Sequence, residues 1–206
     1  MEKIDFRKQL KNLYMPSEKE FSVVDVPAMR YLMIDGSGNP NTSQDYKDAL
    51  EALYAVSYTL KFDGKKELGK DYVAPPLEGL WWAGDMASFS PGNKDGWRWT
   101  MMIMQPGWIT SAMIAKAIET TGLKKSIPGL SLIREETLTE GRCVQIMHVG
   151  SYDEEAPVLA GLHNEYLPQN QLVPNGKHHE IYIGDPRKTA PSKLKTVLRQ
   201  PVKKHS

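Results

Sequence analysis

Cysteine is almost missing from this chain. Cys143 stands alone among 206 residues, which excludes a disulfide framework and a thiolate metal site. Within Arg142–His148 it reads as a small apolar residue of a strand. Net charge is missing too: 26 Lys and Arg against 25 Asp and Glu leave +1. Such a balance supplies no field to draw the chain onto nucleic acid or an anionic membrane. The basic cluster Lys203-Lys204-His205 reads as a solvated, frayed terminus. No apolar run approaches membrane-spanning length, and Met1–Lys8 lacks the apolar core of a secretion signal. These absences point to a soluble, cytoplasmic protein with no membrane and no direct nucleic-acid partner.

What is present is a recurrence. Leu80-Trp81-Trp82-Ala83-Gly84-Asp85 and Glu180-Ile181-Tyr182-Ile183-Gly184-Asp185 each read as an apolar strand ending in Gly-Asp, and they stand about a hundred residues apart. The alignment sets Trp82 against Tyr182 and Leu80 against Glu180, and predicts that the two stretches are paired central strands of a duplicated domain. Strand patterns also cover Phe21–Val26, Met29–Ile34, Trp97–Met104, Leu132–Glu135, Arg142–His148 and Lys195–Arg199. Asp35–Pro40 is a run of turn residues, and Ser88–Gly96, with Pro91-Gly92-Asn93, is a loop. Helical spacing runs from Tyr46 to Phe62, with Thr42 or Ser43 as cap and Gly64 as stop. Further helices follow Thr110, closed by Gly122, and Asp153, where Glu154 and Glu155 suit the positive end of the helix dipole.

Two further matches keep the same serial order. Leu32-Met33 with Gly36-Ser37 matches Ile146-Met147 with Gly150-Ser151, and Gln105-Pro106 matches Gln200-Pro201. The predicted fold is therefore α+β: two strand-helix-strand-strand units related by pseudo-two-fold symmetry, with helices on one sheet face and a ligand cleft on the other. The expected organisation is a single domain, with 1–20 as lead-in, 21–107 as first repeat, 108–126 as connecting helix and 127–206 as second repeat.

Alternation along the strand puts Glu180 and Tyr182 on one face, and the reading turns that face to the cleft and Ile181 and Ile183 to the helices. An ionised carboxylate without a partner is costly to bury, so Glu180 must be solvated, hydrogen-bonded or partly protonated there. By the repeat alignment Trp82 has the parity of the cleft and Trp81 that of the core, although the pair, with Tyr182, is the candidate ligand-binding set. Trp97 and Trp99 either line the pocket or fill the core. His178-His179 beside Glu180 invites a metal reading, but neighbours in a strand point opposite ways, so neither metal nor cofactor is expected. His148 and His163 read as packed or solvated. Gly36-Ser37-Gly38 lacks the Lys-Ser/Thr of a phosphate loop, and no nucleophile-elbow signature is present.

The serial pattern Val26-Pro27, Ile34–Pro40, Leu53-Tyr54, Leu60-Lys61-Phe62, Leu77-Glu78-Gly79-Leu80-Trp81-Trp82, His148-Val149-Gly150-Ser151-Tyr152 and Glu180-Ile181-Tyr182-Ile183 resembles the GyrI-like small-molecule-binding family, in particular its stand-alone branch with a Trp-Trp pair. The Leu-Glu-Gly-Leu-Trp-Trp string is the most specific part of the match. The resemblance implies a duplicated strand-helix-strand-strand fold with a central cleft. In the family's transcription regulators, a Glu matching Glu180 meets cationic aromatic drugs. Those regulators carry a preceding DNA-binding domain, for which residues 1–20 are too short.

For the Trp-Trp branch the implied activity is hydrolysis of strained cyclopropane rings in DNA-alkylating natural products related to yatakemycin and CC-1065, a detoxification. Glu180 would then orient or deprotonate water, Tyr152 would hydrogen-bond the carbonyl oxygen, and the tryptophan faces would hold a flat polycyclic ligand. Tyr152 also reads as a turn tyrosine packed on the adjacent helix. Two alternatives stay open: sequestration of hydrophobic or cationic aromatic drugs without turnover, and an accessory protein acting on gyrase.

Overall fold

A computed structural model describes residues 3–83 and 94–205. Gly84-Asp85 and Pro91-Gly92-Asn93 lie outside the described residues. Strands β1 (Ser22–Val26) and β2 (Met29–Ser37) lead into helix α3 (Gln44–Leu68), after two four-residue helices, α1 (Phe6–Gln9) and α2 (Lys11–Tyr14). Strands β3 (Leu77–Trp82) and β4 (Arg98–Met104), helix α4 (Ser111–Lys124), and strands β5 (Arg134–Leu138) and β6 (Gly141–Val149) follow. A broken helical stretch comes next: a 3-10 turn at Tyr152–Glu154, α5 (Ala156–Gly161), a π segment at Leu162–Tyr166, and α6 (Leu167–Gln169). Strands β7 (Leu172–Pro174), β8 (His178–Tyr182) and β9 (Lys195–Lys204) close the chain.

Local chemistry fixes most boundaries. Ser43 caps α3 by accepting the Tyr46 N–H at 3.2 Å. The helix runs through Gly64 and stops at Gly69, whose φ of 64° takes the left-handed cap. Strand β2 runs through the expected turn at Asp35-Gly36-Ser37 because Gly36 is where the Trp99 ring crosses it; a Cβ there would lie 2.1 Å from that ring. The basic tail is not frayed: Lys203 and Lys204 pair with β7 and Val202 is buried.

The sheet order is β1-β6-β9-β8-β3-β4-β2-β5, with β7 beside β9. Strands β2, β3 and β4 with α3 form one strand-helix-strand-strand unit, and β6, β8 and β9 with the broken helix form the other. The halves meet where β3 pairs with β8, as expected of the two central stretches. Strand β1 pairs with β6 and β5 with β2, so each edge is completed by a strand that precedes the other half's pairing partner.

Helices α3 and α4 cover β2, β3 and β4 through a core of Leu32, Leu53, Leu60, Trp99 and Met101. The broken helix covers β6 and β9 through Val144, Leu162, Leu167 and Val202. The opposite sheet face is filled by the lead-in residues Leu13 and Tyr14 with Met33, Met102, Met147 and Ile181. The fold class is thus as read, but the cleft lies elsewhere. Each half's helices cover only their own strands, which leaves the β3–β8 seam open on the helix face, and a cavity forms there between α3 and the 152–155 turn. Ile181 and Ile183 accordingly sit on the face away from the helices.

That far face also holds a buried polar network. Nε2 of His179 lies 2.9 Å from Glu78 and Nδ1 lies 2.9 Å from Glu140. Tyr14 and Tyr31 both donate to Glu78 at 3.2 Å. Arg199 donates to Glu140, to Gln145 and to the Leu13 carbonyl, which ties the lead-in to the sheet. Burial alone would push His179 down; Glu140 and then Glu78 outweigh it and raise the imidazole to about 9. Burial likewise raises Glu140, but His179 and Arg199 bring it below its ordinary value.

Candidate active site

The cavity over the seam encloses about 730 Å³, within the span of small-molecule sites. One wall is α3, where Tyr46, Leu50, Tyr54 and Tyr58 recur every fourth residue. The other is the turn carrying Tyr152 and Glu155, and the floor is Leu77, Trp81, Glu180 and Tyr182. Gly79 stands directly across the ladder from Glu180. A Cβ at Gly79 would come within 2.8 Å of Trp81 Nε1, so its absence lets the indole lie over the strand.

The floor is wired by a directional relay. Trp81 Nε1 donates to the Tyr182 hydroxyl at 2.9 Å, and that hydroxyl donates to Glu180 Oε2 at 2.7 Å. His178 Nε2 lies 3.3 Å from Glu180 Oε1. Burial, then the charge of Glu180, holds the Tyr182 hydroxyl well above its ordinary range, so it keeps its proton and presents it to the carboxylate. The Tyr152 ring meets Tyr182 edge-on at 5.7 Å and remains 39% exposed, so its hydroxyl is available to a ligand. Burial, then Glu155 and Glu180, pushes that phenol up to about 12, so Tyr152 is a donor at neutral pH. Its turn is fixed by Ser151 and Glu154, whose Oε2 accepts the Ser151 N–H at 2.8 Å and hydroxyl at 2.7 Å.

Glu180, Tyr152, Trp81 and Tyr182 are therefore brought together, and Trp82 is not. Trp82 faces the opposite side, packed on that core beneath Lys177, whose Nζ is 3.4 Å from the ring centroid. The cause is register. The strand ladders set Leu32-Met33 on Ile146-Met147 and Gln105 on Gln200 as expected, but the same ladders set Leu77, not Leu80, where Glu180 stands. The Gly-Asp alignment is off by an odd number of residues, and an odd slip exchanges the two faces of a strand. Trp97 lines the cavity, edge-on to Trp81 at 5.6 Å, whereas Trp99 is fully buried in the core.

Sequence reasoning missed Glu155 and the tyrosine wall. Glu155 is 5% exposed, and its Oε1 makes no hydrogen bond. Successive helical positions turn by about a quarter of a circle, so Glu154 and Glu155, read alike at the helix start, face different ways; that was the available signal. The wall was visible as a second apolar stripe on α3 beside the core stripe of Ala49, Leu53, Val56 and Leu60. Elsewhere His148 is structural, its Nε2 3.0 Å from the Ser151 carbonyl. His178 and His179 point to opposite faces, as strand alternation requires. Among the described residues no group of three or more His, Cys, Asp and Glu is placed to hold a metal, and no helix is long and apolar enough to cross a membrane.

Fold and cavity together describe a small-molecule-binding α+β protein. The sequence profile of the GyrI-like small molecule binding domain matches residues 19–203, and the chain belongs to that family. Three solved structures from Listeria innocua align over 98% of this chain and 100% of their own. One is of an uncharacterized conserved protein, 38% identical with a TM-score of 0.90. Two are of hydrolases, each 36% identical, with TM-scores of 0.83 and 0.87. No curated protein matches the chain.

The two tryptophans should separate in a binding assay. Trp81→Ala is expected to weaken binding of a flat aromatic ligand by up to roughly tenfold by calorimetry, the upper end of one lost aromatic contact of about 0.5–1.5 kcal/mol. Trp82→Ala should leave affinity within about twofold, since its side chain packs on the far face of the sheet and removes no ligand contact. Equal losses would place the ligand elsewhere.

Proposed function

We propose that this protein is a hydrolase that opens the strained cyclopropane ring of DNA-alkylating natural products of the yatakemycin and CC-1065 type, a detoxification. The observation that carries the reading is Glu180: a carboxylate on the floor of an aromatic cavity, aimed by the Tyr182 hydroxyl at 2.7 Å. The Listeria hydrolases, similar along nearly their whole length, support a catalytic rather than a passive cavity.

The chemistry asked of the site is modest. In these compounds the cyclopropane is conjugated to a dienone, so attack at the ring carbon breaks a carbon–carbon bond and restores an aromatic phenol. The protein must place water beside that carbon and stabilise charge growing on the carbonyl oxygen. Glu180 orients the water and takes its proton. Tyr152, exposed and protonated, donates to the oxygen. Trp81, Trp97 and the α3 tyrosines hold the flat rings. Purified protein incubated with a cyclopropane-bearing duocarmycin-type compound should yield a product heavier by one water by mass spectrometry. Recovery of intact compound at the spontaneous rate would refute the reading.

A second reading is favoured by the two carboxyl groups facing one aromatic cavity, an arrangement that also suits a cationic aromatic drug held without turnover. Tight stoichiometric binding with no product would support it.

A further inference from the structure

The two acids of the cavity belong to the same half but stand on different elements, and they meet different surroundings. Glu180, on β8, accepts the Tyr182 hydroxyl and has His178 beside its other oxygen. Glu155, at the head of α5, is 5% exposed and keeps Oε1 buried without a hydrogen bond. Glu180 and Tyr182 from β8, Thr196 from β9, Lys94 from the neighbouring turn, and Tyr152 and Asp153 from its own turn bear on it. Lys94 is engaged 3.2 Å from Asp153. Thr196 and Lys94 favour an ionised Glu155, but burial beside a second carboxylate, with no cation committed to it, outweighs both. A protonated Glu155 needs only one acceptor, and the cavity supplies the place for it.

We infer that Glu155 is a further catalytic residue, beside Glu180 and Tyr152: a neutral carboxylic acid that gives its proton to the substrate oxygen on which charge develops. The inference rests on the hydrolase reading and completes its proton inventory. The water oxygen bonds to the cyclopropane carbon as the ring carbon–carbon bond breaks. That electron pair moves through the dienone to the carbonyl oxygen. Glu180 takes the proton lost by the water, and the oxygen takes the proton of Glu155 and becomes a phenol. The substrate has gained one water; Glu180 is left protonated and Glu155 ionised, and proton exchange with solvent resets the pair. Two carboxyl groups in unlike surroundings can divide the acid and base roles of one reaction. Burial first, and then the charge of Glu180, holds Glu155 well above the ordinary carboxylate range, which supports the assignment.

The test uses the full chain and two readouts. Turnover of the duocarmycin-type compound is followed across pH for wild type and Glu155→Gln, which keeps size and a donor but carries no transferable proton. Wild-type kcat should fall as pH rises through the titration of Glu155. The Gln variant should lose on the order of 10²-fold or more in kcat at little change in KM, and lose that alkaline limb. Wild-type rate and an unchanged profile in the variant would overturn the inference, whereas a wild type with no turnover would overturn the hydrolase reading itself. Infrared spectra supply the second readout and do not depend on the variant folding. A protonated carboxyl band at neutral pH that disappears on alkalinisation supports the neutral acid, and its absence at neutral pH overturns it.

Discussion

Glu180→Gln is expected to bind a flat aromatic ligand as wild type does and to lose between about 10² and 10⁴ in turnover, the usual worth of a general base. Gln preserves the length of the side chain and an oxygen that can still accept the Tyr182 hydroxyl now held at 2.7 Å. The floor should therefore keep its geometry, including the 2.9 Å bond from Trp81 to Tyr182. What is removed is the ability to take a proton from water. Calorimetry and rate measurements on the same preparation separate the two: unchanged affinity with lost kcat assigns the base. Near wild-type turnover in the variant would remove Glu180 from the chemistry, and an unfolded variant would make it structural.

The largest loss of stability is expected on the other face. His179→Ala would leave Glu78 and Glu140 facing each other's neighbourhood without the imidazole between them, with Tyr14, Tyr31 and Arg199 still arranged around both. Removing one partner from a buried ionic pair costs about 3–5 kcal/mol, which denaturant unfolding resolves easily. The network also sets a pH dependence. His179 is raised from 6.5 to about 9 on folding, so its contribution is complete below pH 6.5 and is lost as pH rises through about 9. Glu140 is lowered from 4.5, so its contribution is complete above pH 4.5 and is lost as pH falls below that. Unfolding free energy should thus be greatest between these limits and decline toward pH 9 in wild type, with the alkaline decline missing from His179→Ala. A loss below about 1 kcal/mol would show that the histidine is not what joins the two carboxylates.

The duplicated fold was legible because hydrophobic period and turn chemistry recur in order, and the Leu32-Met33 and Gln105 matches keep true register in the ladders. Glu180 and Tyr182 were legible as a polar pair on one strand face. The side to which that face turns was not, because it depends on how far each helix reaches across the sheet. Trp81 and Trp82 were exchanged for a related reason: the Gly-Asp pairs resemble each other in composition but not in register, and strand parity does not tolerate an odd slip. The buried Glu78, His179, Glu140 and Arg199 come from four separate strands and hairpins, and only pairing in space reveals them as one network. The lead-in had no role assigned to it from sequence; Leu13 and Tyr14 are 2% and 1% exposed, since they close the face that the helices leave open.

The most direct measurement is turnover of a cyclopropane-bearing duocarmycin-type compound in ¹⁸O-enriched water, with product counted against protein. The account predicts ring-opened phenol in many-fold excess over protein, carrying one solvent oxygen on the carbon that belonged to the ring. Product that never exceeds one equivalent of protein, or that carries no solvent oxygen, would contradict it.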